Sequence, residues 1–275
     1  APAAAPEAPK PSGRYVPPQS LLVTRALESA ARAEARMEDL TFGEYVRGAF
    51  TYPFKGDGPI ILISGTLLFA LLRSTSSFTL RWGLSGGAAL VVLAFSYGYF
   101  ASMVMSVVQA TANGEPQVPT WPDVDGWKDY FFKWTALYIC CLGPGWGMML
   151  WANITSNPEL TSAGIAFYGL GILYLPMALL AMGLSDSYAG LNPMVVFPWV
   201  FATFGQYLIV VPLAGMALAV PSLCEYVIKT NYTEFSFVSI IGLHVISSAA
   251  SLWAWFVVAR MLGGLYRANR DKLEV

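Results

Sequence analysis

One histidine, three cysteines and a small acidic cluster are the residues of this sequence with the greatest scope for chemistry. His244 is the only histidine and lies inside a long apolar segment. An ionisable side chain in such a segment is by default a candidate functional group, because burying it in an apolar medium is costly. The alternative is a neutral imidazole that hydrogen-bonds to a neighbouring helix. We therefore treat His244 as a candidate intramembrane polar site.

The spacing of the other candidates does not match a known metal site or redox motif. Cys140 and Cys141 are adjacent and Cys224 stands alone in another apolar segment, so neither an ordinary disulfide between neighbours nor a zinc motif is available. Asp123, Asp125 and Asp129, with Glu115, form a small acidic cluster without the spacing of a calcium loop. A helix N-terminus favours Asp without any ion. We expect no metal and no cofactor, and the absence of any catalytic constellation predicts that the protein is not an enzyme.

Long apolar segments decide the class of the protein. Of the 275 residues, 56% are hydrophobic and 12% are charged, against roughly a quarter charged in soluble domains. Residues 82–109 contain no Asp, Glu, Lys, Arg or His. At about 1.5 Å per residue such a helix crosses a hydrocarbon core of roughly 30 Å. The sequence therefore predicts an all-α, polytopic transmembrane helical bundle.

Six segments share this apolar character. They are 58–72, 82–109, the part of 126–152 that follows the aromatic entry 126–134, and then 160–184, 203–224 and 235–258. Between the interfaces these predicted spans contain no acidic or basic residue, which argues against a proton-coupled carrier. Pro144, Pro176 and Pro212 are expected to kink or break their helices, and a broken helix can offer backbone groups to a solute. A small-xxx-small match from Gly83 to Gly87 predicts close approach of a neighbouring helix.

The regions around the spans divide the chain further. Residues 1–18 are a flexible Pro/Ala-rich tail, 19–57 form cytoplasmic and interfacial helices, 58–260 form the six-span membrane domain, and 261–275 form a basic cytoplasmic tail. Thr41 and Glu44 match a capping box at the start of an amphipathic helix. A second interfacial helix is predicted near residues 194–201.

Basic residues predict the orientation. Six spans put both termini on one side of the membrane, where thirteen Lys and Arg lie, against three on the other side. The positive-inside rule then predicts cytoplasmic termini. The net charge of −1 argues against nucleic acid as a partner.

The most distinctive connection runs from residue 114 to 125 and continues into an aromatic-rich entry at 126–134. Three prolines stiffen the loop, and aromatic side chains often dominate interfaces. The candidate partner-contact residues are Trp121, Asp123, Asp125, Trp127 and Tyr130. The alternative is that the tryptophans only anchor the loop to lipid headgroups.

Five short motifs carry a resemblance to a known family. They are Phe50-Thr-Tyr-Pro-Phe54, Tyr97-Gly-Tyr99, Gly114-Glu-Pro-Gln-Val-Pro-Thr-Trp-Pro-Asp123, Leu191-Asn-Pro193 and Gly264-Leu-Tyr-Arg-Ala-Asn-Arg270. In these motifs the chain resembles an uncharacterised family of polytopic bacterial membrane proteins, catalogued as a domain of unknown function, and is distantly similar to Yip-type membrane proteins. The resemblance implies a helical domain of the bacterial inner membrane and no assigned activity or site residues.

Two functional hypotheses follow. The first is a non-catalytic accessory or scaffold subunit of a larger inner-membrane complex, with the lipid bilayer and other membrane protein subunits as partners. The second is a channel or carrier for a neutral or lipidic solute. A continuous polar cavity near Pro144 and Pro212 would favour the second.

Overall fold

The computed structural model describes residues 40–81, 86–230 and 237–273, which belong to one compact unit. The predicted tail 1–18 and the predicted helix before residue 39 lie outside the described residues. The α-helices are α1 (Phe42–Ala49), α2 (Gly58–Arg81), α3 (Gly86–Ala112), α4 (Trp127–Thr155), α5 (Pro158–Ser185), α6 (Pro193–Ala202), α7 (Phe204–Thr230), α8 (Phe237–Arg267) and α9 (Arg270–Leu273). Three short 3-10 helices lie at Tyr52–Phe54, Val124–Gly126 and Tyr188–Leu191.

Six of these helices, α2, α3, α4, α5, α7 and α8, are long and apolar enough to cross a membrane. This confirms the predicted six-span, all-α fold, and the chain is a multi-pass membrane protein. α1, the loop 113–126, α6 and α9 lie at one end of the bundle, which we call the α1 end. The opposite end, where α4 joins α5 through residues 156–157, is the far end.

The helices extend beyond the predicted spans. α2 continues to Arg81, α7 to Thr230 and α8 to Arg267, because the charged residues taken as span ends are paired inside the bundle rather than excluded from it. Arg73, Glu225 and Arg260 therefore lie within membrane-length helices. The predicted spans themselves contain no acidic or basic residue between the interfaces, but the helices that include them do.

The prolines do not break the helices. α4 is continuous through Pro144, α5 through Pro176 and α7 through Pro212. The predicted alternative of a broken helix is therefore wrong at all three positions. A solute site built from the unwound backbone at these prolines is absent from the described residues.

Burial identifies the central helices. The spans of α3 and α8 are 56% and 50% buried, whereas that of α4 is 22% buried. Apolar side chains on the outer helices, such as Trp146 and Ile154 on α4, are largely exposed, as expected for surfaces that face lipid. The core consequently lies along α3 and α8, and the other helices surround them.

Glycines allow close helix contacts, but not where the small-residue motif predicted them. Gly87 has no neighbour that an added Cβ would touch, and Gly83 lies outside the described residues. The close approach is instead between α4 and α5, at Gly145, Gly164 and Gly171, where a Cβ would collide with the backbone of the facing helix. These glycines let the two helix backbones meet.

Local sequence signals start several helices as predicted. Glu44 accepts hydrogen bonds from the Thr41 backbone N–H (2.7 Å) and hydroxyl (2.9 Å), so the Glu44 half of the capping box forms at the start of α1. At α6 the side chain of Asn192 accepts from the N–H of Met194 (3.0 Å), and Pro193 occupies the first turn. Both predicted interfacial helices are therefore present as helices.

Candidate functional site

The loop 113–126 is fixed to the bundle at the α1 end. α3 ends at Ala112. Gly114 follows with a φ of +86°, in the left-handed region, and the N–H of Glu115 donates to the Ala110 carbonyl at 2.8 Å. Three side chains also hold the loop backbone: Arg260 donates to the Glu115 carbonyl (2.8 Å), Tyr52 to that of Gln117 (2.8 Å) and Tyr99 to that of Pro122 (3.0 Å). The loop consequently has a defined shape.

The five predicted contact residues occupy two different environments. Trp121 is half-buried and stacks on Tyr99, with ring centroids 5.7 Å apart and planes at 9°. Trp127 and Tyr130 are also half-buried, whereas Asp123 and Asp125 are exposed. Trp121 thus packs on the bundle itself, an arrangement that neither the contact nor the headgroup-anchor hypothesis anticipated.

Beneath the loop lies a buried arginine that the sequence analysis missed. Arg260 is 6% exposed, and its guanidinium carbon lies 4.5 Å from the Tyr52 ring centroid and 5.3 Å from that of Tyr45. Burial raises the pKa of Tyr52 to about 12 and also raises the pKa of Tyr45. Both phenols therefore stay neutral around a cation whose charge their ring faces stabilise.

A buried lysine divides the predicted acidic cluster. Lys133 Nζ lies 2.5 Å from an Asp129 carboxylate oxygen and 2.7 Å from one of Asp186, so Asp129 is paired away from Asp123 and Asp125. Among the described residues the structure contains no group of three or more His, Cys, Asp or Glu that could hold a metal ion.

A polar cavity of about 280 Å³ lies among α2, α3, α4, α7 and α8, towards the far end. Its polar lining includes Arg73, Ser96, Tyr97, Glu225, Ser248 and Ser251. Its aromatic lining consists of Phe69, Phe100, Trp134, Tyr138 and Trp255, together with Tyr97. A lining with both polar and aromatic side chains is unusual inside a membrane domain. Polar side chains at such positions often mark solute or ion pathways.

An ion pair contributes both charges of this cavity. Arg73 Nη1 lies 3.1 Å from Glu225 Oε1 and also donates to the Ser247 hydroxyl at 3.4 Å. The two charged side chains are 25% and 42% exposed, respectively, so the pair is only partly enclosed. Arg73 lies about 22 Å along α2 from Gly58, which places the pair well inside the bundle.

His244 lies near this pair, and Arg73 and Glu225 are the charged residues that act on it electrostatically. Its Nε2 atom is buried and has no hydrogen-bond partner among the described residues. The neutral-imidazole interpretation of the sequence predicts a hydrogen bond to a neighbouring helix. Among the described residues no such bond is present at Nε2. The hydroxyls of Ser74, which follows Arg73, and of Ser248, which lies one helical turn after His244, are also buried. Neither has a hydrogen-bond partner among the described residues.

Near Pro144 and Pro212 the structure has an apolar groove rather than the polar cavity considered from sequence. The groove has a volume of about 860 Å³ and lies among α4, α5, α6 and α7. Leu170, Leu173 and Phe197 are among its lining side chains, and Cys140 and Cys141 are its thiols. All three cysteines are free.

The fold and these sites define a multi-pass membrane protein with a fixed loop at one end and a polar cavity towards the other. No protein-family model matches the chain, and neither a curated protein nor a solved structure is significantly similar to it. The resemblance to a family of polytopic bacterial membrane proteins stays a prediction.

Proposed function

We propose that the protein is a non-catalytic accessory or scaffold subunit of a larger inner-membrane protein complex, and that it docks its partner through the loop at the α1 end. The observation that carries this proposal is a fixed, solvent-facing turn. Asp123, Val124 and Asp125 are exposed, with Val124 54% exposed, on a loop that the bundle holds by three hydrogen bonds.

A fixed turn suits binding, because less conformational entropy is lost when the partner arrives. An exposed apolar residue between two carboxylates offers a small apolar contact with an acidic rim, which fits a basic or mixed surface on another membrane subunit. In this proposal Trp121, Trp127 and Tyr130 support the turn from behind, and the exposed residues make the contact.

The proposed location is the bacterial inner membrane with both termini in the cytoplasm. Among the described residues, Lys and Arg are more numerous at the α1 end than at the far end, which supports this orientation. In this proposal the lipid bilayer covers the exposed apolar faces of the spans. Labelling of single cysteines introduced at the two chain ends tests it. Labelling of the ends from opposite sides of the membrane would refute it.

Site-specific photocrosslinking tests the docking surface in native membranes. A photoreactive amino acid at position 124 is expected to crosslink to one defined protein, and the same amino acid at position 159, at the far end, is the control. The double substitution Asp123→Asn and Asp125→Asn should weaken the crosslink at least several-fold, whereas Asp271→Asn, an exposed acid of α9, should not. A protein that crosslinks only to lipid and purifies alone from mild detergent contradicts the proposal.

A second candidate function, a carrier or channel for a lipidic solute, is favoured by the apolar groove. A groove of about 860 Å³ with an apolar lining is large enough for an acyl chain and has no complement for a polar solute. Leu173→Trp should reduce crosslinking to a photoactivatable lipid by filling the groove. Leu150→Trp is the control, since Leu150 is similarly exposed (47% against 49%) but lies outside the groove. Equal crosslinking in both variants would reject this candidate.

A further inference from the structure

The polar cavity towards the far end has the features of a ligand site. Ser248 is 1% exposed, lines the cavity, and its hydroxyl has no hydrogen-bond partner among the described residues. A buried hydroxyl without a partner is energetically unfavourable. An occupant that hydrogen-bonds to this hydroxyl would remove that cost, so the unpaired group indicates where an occupant binds.

The two charges of the cavity are equal and opposite. Arg73 and Glu225 are 3.1 Å apart and both line the cavity. A ligand with a net charge would leave one of them imperfectly compensated in a medium of low dielectric constant, which is unfavourable. A ligand with one positive and one negative group leaves the balance unchanged.

We propose that this cavity binds a small zwitterionic solute, whose anionic group pairs with Arg73 and Ser248 and whose ammonium group pairs with Glu225 and the aromatic wall. Arg73 and Ser248 both line the cavity, so the arginine charge and the unpaired hydroxyl can contribute to one site. A carboxylate has about four acceptor positions, so Glu225 can keep its contact with Arg73 while it receives an ammonium group.

The aromatic wall supplies the second half of the cation site. Phe100, Trp134 and Trp255 pack against one another with ring centroids 5.0–6.3 Å apart, and all three line the cavity. The faces of aromatic rings, and of Trp most strongly, attract ammonium groups. An apolar solute would not use Glu225, and a simple anion would not use the rings.

The volume limits the size of the ligand. Sites for drug-sized ligands have volumes of about 300–1,000 Å³, and this cavity, at about 280 Å³, falls just below that range. The ligand is therefore of the size of an amino acid, a betaine or a phosphocholine group. The same chemistry occurs in free solutes and in the headgroups of zwitterionic lipids, and the experiment separates these sources.

Calorimetric titration of the full chain in a non-ionic detergent tests the proposal on the unmodified protein. The zwitterionic probes are glycine, trimethylglycine and phosphocholine. Choline is the cationic probe, propionate the anionic probe and glycerol the neutral probe. At least one zwitterion is expected to bind saturably, and the three other classes at least tenfold more weakly. A short-chain phosphatidylcholine that binds at least tenfold more tightly than phosphocholine assigns the site to a lipid headgroup; the reverse order assigns it to a free solute.

Two substitutions test the roles of the named groups. Glu225→Gln should weaken zwitterion binding at least tenfold and shift the preference towards propionate, because Arg73 then lacks its counter-charge. Ser248→Ala should weaken zwitterion binding several-fold without changing the preference. Glu159→Gln and Ser162→Ala, which change exposed residues of α5 outside the cavity, are the matched controls.

Several outcomes overturn the proposal. Absence of saturable zwitterion binding at millimolar concentrations shows that only water fills the cavity. Binding of choline, propionate or glycerol as tightly as the best zwitterion assigns a different ligand class. If Glu225→Gln fails to fold, the probe series on the unmodified protein and the Ser248→Ala variant still decide. The proposal does not depend on the docking surface at the α1 end, so the crosslinking result at position 124 leaves it unaffected.

Discussion

The contact between Arg260 and Tyr52 offers the sharpest test of how the α1 end is held together. The guanidinium carbon of Arg260 lies 4.5 Å from the Tyr52 ring centroid, and Arg260 is almost completely buried. A desolvated cation over an aromatic ring is stabilised by about 1–2 kcal/mol. Removal of Arg260 alone does not measure this energy, because it also relieves the cost of burying a charge.

A double-mutant cycle isolates the interaction from that cost. The single variants are Arg260→Met and Tyr52→Leu, and the cycle is expected to give a coupling energy of about 1–2 kcal/mol. Tyr52→Phe keeps the ring and loses the hydroxyl, which donates to the Gln117 carbonyl at 2.8 Å and also interacts with Thr111 and Arg260. This variant should lose about 1 kcal/mol of stability and keep most of the coupling to Arg260.

Unfolding by increasing mole fractions of a denaturing detergent in mixed micelles, followed by circular dichroism, supplies the free energies. The control cycle pairs Arg260→Met with Tyr174→Leu, since Tyr174 hydrogen-bonds to the Leu191 carbonyl in another part of the bundle. Its coupling should not exceed about 0.5 kcal/mol. If the cycle with Tyr52 gives no more than this control, the tyrosine ring does not stabilise the cation and the reasoning is refuted.

Three further predictions concern the α1 end and the helix contacts. The folded-state pKa of Tyr52, about 12, lies above the unfolded value of 10.0. The contribution of the neutral Tyr52 phenol to stability is therefore complete below pH 10 and is lost as the pH rises through about 12. Alkaline tyrosinate titration of the wild type and of Tyr52→Phe measures this pKa. Gly171→Ala should lower the free energy of unfolding by about 1–3 kcal/mol, because the added Cβ would meet the backbone of α4. Gly169→Ala in the same helix should leave stability unchanged or raise it, since nothing lies near the added Cβ. Detergent unfolding of both variants compares them. Trp121→Ala removes the stacking on Tyr99 and should lower stability by about 1–3 kcal/mol, with lower protection of the loop amides in hydrogen exchange; unchanged stability and protection would contradict the packing role.

The number and type of spans could be predicted from the sequence because hydrophobic length is a direct physical requirement of crossing a bilayer. The helix ends could not be predicted equally well. A predicted helix end at a charged residue rests on the assumption that the charge lies outside the membrane. Arg73, however, pairs with Glu225, which lies about 150 positions later in the chain. No local sequence pattern predicts such a partner.

The candidate site shows the same limit. The sequence singles out Trp121, but its packing depends on Tyr99 of α3, a tertiary contact that local composition does not encode. Arg260 follows the last predicted span, where a positive charge after an apolar run is typical of a membrane exit. A signal was available in hindsight: tyrosines just before the first span and an arginine at the end of the last span can meet when the termini lie on one side.

Two of the embedded charge sites of the bundle illustrate how structural and functional charges differ. Arg260 is enclosed by two tyrosine rings and donates to the backbone of a fixed loop, so the charge holds parts of the protein together. Arg73 and Glu225 also compensate each other, but they line a cavity that contains a buried hydroxyl without a partner. A purely structural ion pair gains nothing from an adjacent polar cavity, because open space beside the pair costs packing energy. The cavity and the unpaired hydroxyl beside Arg73 and Glu225, and the enclosure of Arg260 by two tyrosine rings, are the reasons that we assign ligand binding to the far half of the bundle and partner docking to the α1 end.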